Sequence, residues 1–432
     1  MAGLCRQRLG PDRAHPRSGG QGVRVDMAKW VQVLAAALFG AMAPAASAAD
    51  LEVPPSATAS TILGTLAEGE GYRIAEHVRS DGFLRIYRIL TPNGDFEVSG
   101  AEMLDTRLRE LEALSLLRKL DESREFATAA GRAAAAPIQF AGRLVTDPVN
   151  TVSDTVSGIG RMVDRITSSI GETGDRRDDV MSQLAGISQA RRDIAFRFRV
   201  DPYTDFPPLA RRLEEVARAS AFGGLTVKAV FSFIPGAAGL AVAGASTADS
   251  AQSLMRDNDA DELAAINRNR LLGLGIDGTT VERFLANPDY TPGDRTEIAL
   301  DLARMADVGG LEIVLQQAAR AGARDLAFFQ RRRVRLLADY HTGVRRLARF
   351  VSARAIPVSV TADGGVLALF PMDLLSWSER AANAVASITA ELDQRQDLSM
   401  AGAEFRVAGE VTPAARRELE RLGWFVVAGV AP

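Results

Sequence analysis

Between Ala101 and about Ala355 the apolar residues recur with a helical period, which leaves only a mainly α architecture open to most of the chain. Leu104, Leu108, Leu111, Leu114, Leu117 and Leu120 follow one another at three or four positions, the spacing that stacks side chains on one helix face. Val149, Val152, Val156, Ile159, Val163, Ile166 and Ile170 repeat the pattern, backed by Asn, Ser, Thr, Asp and Gly. Those are weak helix formers, so packing must hold the segment, and a core-facing helix is expected. An alanine-rich stretch, 127–136, ends at Pro137. Residues 171–179 are charged and glycine-punctuated and read as a linker. Residues 200–208 contain three prolines and read as a rigid connector, with Pro208 opening a helix through Ala219 and with structural roles for Tyr203 and Asp205.

The period changes on both flanks. Runs 71–78, 82–90 and 95–98 are β-branched or aromatic and are separated by turn signals at 80–82 and 92–94, which predicts a three-stranded meander. His77 lies in the first run as an ordinary half-exposed strand residue, and 51–60 reads as a mobile leader. From Pro357 onward, 357–361 and 366–370 flank Asp363-Gly364-Gly365, a hairpin signal. Ser376-Trp377-Ser378-Glu379 reads as a capping box for a helix to Leu392, and Thr412-Pro413 as the cap and first turn of a helix through Leu422. Strands at 405–407 and 424–427 complete a ββαβαβ order, an α+β unit of about 75 residues, large enough to fold alone. The expected fold is therefore mainly α: a helical central domain with an N-terminal β-meander and a small C-terminal α+β domain. The divisions are 1–48, 49–100, 101–355 and 356–432.

The first of these divisions carries an address. Lys29 and Trp30 precede an apolar run from Val31 to Ala43, and Ala46-Ser47-Ala48 offers a small-residue cleavage site. Pro44 ends the run short of the roughly 20 residues a membrane span needs. Cleavage after Ala48, with translation starting at Met27, is expected, and the protein is expected to be exported to the periplasm or beyond, with peripheral membrane association open. The removed part includes Cys5, the only cysteine, and His15, leaving His77 and His341. Thiol chemistry and most transition-metal chemistry go with them, and no cofactor is expected. The net charge of −3 argues against nucleic acid as a partner.

Two segments invite a functional reading. Residues 222–245 are rich in Gly and apolar side chains, with seventeen uncharged residues after Lys228 broken by Ile234-Pro235-Gly236. They read as a helical hairpin, buried in a core or, alternatively, active at a membrane. From Arg320 to Arg354 the chain holds ten arginines against Asp325 and Asp339, threaded by an apolar stripe. Arg331, Arg332, Arg333, Arg335, Arg345, Arg346 and Arg349 are the candidate contacts to anionic lipid or a protein partner, set against a plain core-packed helix with a solvated Arg face. Gly273, Gly275 and Gly278 match G-x-G-x-x-G but follow a helical stretch instead of a strand, so a helix-to-helix turn is expected, with Thr279–Glu282 as a capping box. Asp257, Asp259, Asp261 and Glu262 resemble a calcium loop without its glycine and read as an acidic helix start. The expected function is a non-catalytic scaffold or interaction module of the cell envelope, its partner a membrane surface or an envelope protein. The alternatives are an exported hydrolase with a dispersed site that includes His77, and a membrane-inserting effector using 222–245.

Overall fold

A computed structural model describes residues 51–92, 94–135, 174–233 and 247–429. The expected signal segment, the 149–170 stripe and most of the 222–245 hairpin lie outside these residues. The chain is mainly α, with an antiparallel sheet near its start and a mixed sheet near its end.

The N-terminal sheet has six short strands: β1 (Ala57–Thr58), β2 (Glu68–Gly69), β3 (Tyr72–Ile74), β4 (His77–Ser80), β5 (Arg85–Leu90) and β6 (Phe96–Ser99), with α1 (Ala59–Leu63) between the first two. The run expected as one strand, 71–78, is broken. Ile74 pairs with Ile89 whereas Arg79 pairs with Ile86, so two extra residues bulge between them. Ile74, Val78, Tyr87, Ile89 and Val98 turn inward. The residues from Leu51 are not a loose leader. Glu52 donates its N–H to the Trp377 carbonyl at 3.0 Å and accepts the Trp377 N–H at 2.7 Å, and β1 pairs with β4.

Four helices cover that sheet: α2 (Ala101–Arg118), α3 (Arg124–Ala135), α4 (Gly174–Phe198) and α5 (Pro207–Gly223). Leu104, Leu111, Leu114, Leu117 and Leu120 are buried as their spacing predicts. The expected linker at 171–179 is helical from Gly174 on, because Ile187, Ala190 and Ile194 anchor the far end of α4 in the core. Pro207, one residue earlier than expected, opens α5, where the missing N–H has no helical partner to lose. Arg212 of α5 reaches the Leu117 carbonyl with Nε at 3.3 Å and Nη2 at 2.7 Å, satisfying an end carbonyl of α2.

After α6 (Val227–Ser232) and α7 (Thr247–Asp257) come α8 (Ala260–Gly273), α9 (Gly278–Leu285), α10 (Pro292–Ala303), α11 (Leu311–Ala319) and α12 (Arg324–Gly343). Asp259 caps α8 in a full capping box with Glu262, the acidic start expected. The cap of α9 is Asp277, whose carboxylate accepts from Thr280 N, so Glu282 is free to pair with Arg268. Helical structure ends at Gly343, earlier than expected. Leu347–Ala353 is a strand, β7, because it pairs along its length with β8 (Ile356–Thr361), which the helix-like apolar spacing did not reveal.

The C-terminal sheet runs β13-β11-β9-β8-β7, with β9 (Val366–Phe370), β11 (Glu404–Val407) and β13 (Phe425–Ala428) parallel. Crossovers through α13 (Glu379–Asp393) and α14 (Pro413–Arg421) join the parallel strands; β10 (Leu374–Leu375) and β12 (Glu410–Val411) form a small parallel pair beside them. Every residue of β9 is buried. Leu367 and Leu369 pack with α9 to α12, while Val366, Ala368 and Phe370 pack with Trp377, Val385 and Leu419 from the other layer. A continuous apolar run is what a strand covered on both faces requires. The cap of α13 is Ser378, with Glu379 as its first residue; Ser376 instead donates its N–H to the Gly82 carbonyl at 3.1 Å. Gly309 bridges to Arg349 beside β7, and the next residue, Gly310, has φ 76°; a Cβ on it would stand 2.7 Å from the Phe350 carbonyl oxygen.

Candidate functional site

The densest chemistry in the molecule lies where α2, the 199–206 connector, α10 and the start of α12 meet. Arg107 stands three residues after Leu104 and four before Leu111, so α2 carries it, and Glu110, into the interior with the leucines. Arg107 Nη1 lies 2.5 Å from Glu110 Oε2, and Nη2 forks onto Asp205 at 2.9 and 2.8 Å. The Thr204 hydroxyl donates to the other oxygen of Glu110. Asp205 also accepts from Arg324 Nε at 2.8 Å, and Arg324 Nη1 lies 2.5 Å from Asp294 Oδ2. Asp294 Oδ1 accepts from Arg331 Nη1 at 2.7 Å, and Arg331 Nη2 reaches Glu102 Oε1 at 3.0 Å. The Arg324 and Arg331 guanidiniums, about one turn to either side of Phe328 on α12, both cover its buried ring, at 4.2 and 4.6 Å.

The electrostatics follow from this geometry. Burial alone would raise the pKa of Asp294, but Arg324 and Arg331 together outweigh it and hold the group well below the usual carboxylate range. Asp205, against the same burial, is lowered by Arg107 and Arg324, and Glu102 by Arg331, Arg332 and Arg335. Asp201 differs. Its residue is partly exposed, but the carboxyl turns inward; a Cβ on Gly293 would meet its Oδ2 at 2.5 Å. Burial and the charge of Asp294 push it up to about 7. Thr291, cap of α10, stands between the two, its Oγ1 2.5 Å from Asp201 Oδ2 and 3.0 Å from Asp294 Oδ2. Thr204 and Thr291 are each hydrogen-bonded to carboxylates, so the cluster is suited to holding charge and to sharing protons.

The seven arginines of the basic segment do not form one face. Arg331 is buried in the network just described. Arg332 approaches Glu102 at 3.6 Å, and Arg335 pairs with Glu297 at 2.6 Å. Arg333 is 3% exposed and, among the described residues, pairs with no carboxylate; burial pushes its pKa down. Its Nε donates to the Leu369 carbonyl at 3.0 Å and its Nη2 lies 2.5 Å from the Pro357 carbonyl, with the ring of Phe370 beneath at 4.5 Å. The register of β8 and β9, with Ser359 opposite Leu367, would set Pro357 opposite Leu369. Proline has no N–H for that rung, and the guanidinium donates in its place. Arg345 and Arg346 lie on the turn after α12, with Arg345 at 3.2 Å from Glu404 and Arg346 at 2.8 Å from Asp307; Arg349 is on β7, 2.9 Å from Asp397. The expectation of a single lipid-facing or solvated Arg helix is corrected for Arg331 and Arg333, because their side chains are enclosed by protein.

The two histidines among the described residues lie apart. His77 is exposed on β4. His341 is buried at the end of α12, with Nδ1 accepting from Leu347 N at 3.0 Å and Nε2 3.1 Å from Asp307 Oδ1, an arrangement that fixes the turn into β7. Gly273, Gly275 and Gly278 join α8 to α9, with Gly275 at φ 77°. Two open clefts stand out. One of about 300 Å³ lies between α3 and the end of α5, beside Arg124, Thr128 and Arg132. The other, about 250 Å³, lies between Pro55 and Pro413 and contains the Arg85–Glu410 ion pair. Among the described residues no helix is long and apolar enough to cross a membrane, and no cluster of three or more His, Cys, Asp or Glu suits a metal ion.

Reasoning from sequence did not bring Arg107, Glu110, Asp201, Thr291 or Asp294 forward as a group. The available signal was Arg107 and Glu110 standing on a leucine face. No protein-family model matches the chain, and no curated protein or solved structure matches it.

Proposed function

We propose that this chain is an exported, non-catalytic scaffold or interaction module of the cell envelope, a helical body flanked by a β-meander and a C-terminal α+β unit. One observation supports this reading above others. Two of the arginines expected to meet an anionic surface, Arg331 and Arg335, and Arg324 beside them, are paired with Asp205, Asp294, Glu102 and Glu297 of the chain's own other elements. Such a network sets the mutual positions of α2, the connector, α10 and α12, which is what a rigid platform needs.

Flotation of the purified chain from residue 49 onward with anionic and neutral vesicles, at low and high salt, tests it. The protein is expected to stay at the bottom in all four conditions. Salt-sensitive flotation on anionic vesicles alone would overturn the reading in favour of Arg332, Arg345, Arg346 and Arg349 as lipid contacts. Salt-resistant flotation on both would assign 222–245 to the bilayer. Export is tested separately by the mature amino terminus, expected at Ala49.

A further inference from the structure

We infer that Asp201, Thr291 and Asp294 form a proton-operated latch between the 199–206 connector and α10. The latch is closed when Asp201 carries a proton and loosens when that proton leaves.

The hydrogen count around Thr291 carries the inference. Three oxygens, Asp201 Oδ2, Thr291 Oγ1 and Asp294 Oδ2, are joined by two contacts of 2.5 and 3.0 Å. Each contact needs a proton, and the threonine hydroxyl has one. Asp294 N–H already points at Thr291 Oγ1, at 3.1 Å, so it cannot supply the second. A proton on Asp201 completes the set: Asp201 donates to Thr291 Oγ1, and Thr291 donates to Asp294 Oδ2. Without it, Thr291 serves one carboxylate and turns a lone pair on the other. Asp294 cannot be the protonated partner, since Arg324 and Arg331 both bind it.

Among the described residues no comparable cation faces Asp201. From α10 it faces Asp294, and from α12 Arg324 acts on it only weakly. From α7 it meets the Met255 sulfur near Gly293, while Asp249 of that helix pairs with Arg199. On α4, Arg191 lies over the ring of Tyr203, 5.4 Å from its centre, and Arg192 is bound to the Arg256 carbonyl. From α2, Arg107 and Glu110 reach the connector at Asp205 and Thr204 instead. The Tyr203 N–H, at 2.7 Å from Oδ1, is the other donor that would soften ionisation. Ionised Asp201 therefore sets a second negative charge beside Asp294, with Gly293 leaving no space for the carboxyl to withdraw.

The sign follows from linkage. The folded-state pKa is raised to about 7, against an unfolded value of about 3.9. The closed state is therefore favoured by acid. Its opening constant rises about tenfold per pH unit between about 4 and 7 and levels off above.

The test is hydrogen exchange of the full chain, followed in peptides covering 199–206 and 292–303 from pH 5 to 8.5. Rates are corrected for intrinsic exchange and compared between wild type and Asp201→Asn. The wild-type to D201N ratio of opening constants is expected to climb roughly tenfold per pH unit to a plateau near pH 7. A flat ratio would overturn the proposal. Thr291→Ser should keep the wild-type profile, whereas Thr291→Val, which leaves Asp201 facing Asp294 directly, should move the plateau to higher pH. A T291V profile that is only displaced vertically, with an unmoved plateau, would make Thr291 a structural cap and sink the relay. If D201N does not fold, the infrared carbonyl band of a protonated carboxyl serves instead. It should vanish in wild type near pH 7 and at higher pH in T291V; no such band in that range would refute the latch.

Discussion

Replacing Arg331 with Met keeps most of its volume and apolar stem while removing the guanidinium. Three carboxylates feel the loss unequally. Asp294 retains Arg324 at 2.5 Å, and Glu297 retains Arg335 at 2.6 Å. Glu102 loses its 3.0 Å partner and keeps only Arg332 and Arg335, at 3.6 and 3.8 Å. Asp294 is 2% exposed. Two charge-assisted hydrogen bonds of about 1.5–3 kcal/mol each are removed, and one enclosed carboxylate is stranded, so R331M should lose about 3–5 kcal/mol at pH 7. Urea unfolding read by Trp377 and Trp424 is the assay, because both are buried in the layer that α12 helps to cover. Glu102→Gln in the R331M background removes the stranded charge and should restore about 1–3 kcal/mol. Because Glu102 and Asp294 titrate below their ordinary range, the stability they carry is present above about pH 4 and fades as the pH falls further; the R331M deficit should shrink with it. A loss under about 1 kcal/mol, the range of exposed pairs, or no recovery in the double variant would refute the buried-network reasoning.

Two further outcomes can be checked in the same way. Thr389→Val leaves the buried Trp424 Nε1, now 2.9 Å from Thr389 Oγ1, without an acceptor; about 1–3 kcal/mol should go, while Thr389→Ser keeps most of it, as urea midpoints would show. Gly310→Ala forces a side chain onto a φ of 76° and to within 2.7 Å of the Phe350 oxygen, and should cost about 1–3 kcal/mol and loosen exchange at Gly309 and Phe350.

What could be read beforehand was whatever one segment determines by itself. The leucines of α2, the apolar run 366–370 after the Asp363-Gly364-Gly365 turn and the Thr412-Pro413 start of α14 each carry their own signal, and the structure agrees. Caps were harder, because Ser376 and Ser378 are chemically alike and the choice turned on Ser376 meeting Gly82 from another sheet. Strand β7 was read as helix because LARFVSA has no clean alternation, and its partner β8 lies ahead of it in the chain. The charges of α12 were legible but their destinations were not. Arg331 finds Glu102 at 229 positions' distance, and Arg333 donates to the Leu369 and Pro357 carbonyls of strands that follow it in the chain. Burial of a charge is a property of pairs, and single-sequence patterns describe faces.

The clamp at Glu52 fixes an order of events. Its partners Trp377 and Thr412 lie 325 and 360 residues later, and the first turn of α2 offers the Ala101 N–H to Asp373, 272 residues on. Vectorial synthesis therefore delivers the amino-terminal sheet long before its acceptors exist. Until the last strands emerge, that sheet lacks its final contacts, and the loop to be closed spans nearly the whole chain. The molecule completes itself only as a whole: a nascent chain halted anywhere before Thr412 stays ajar, open to whatever machinery handles unfinished polypeptides.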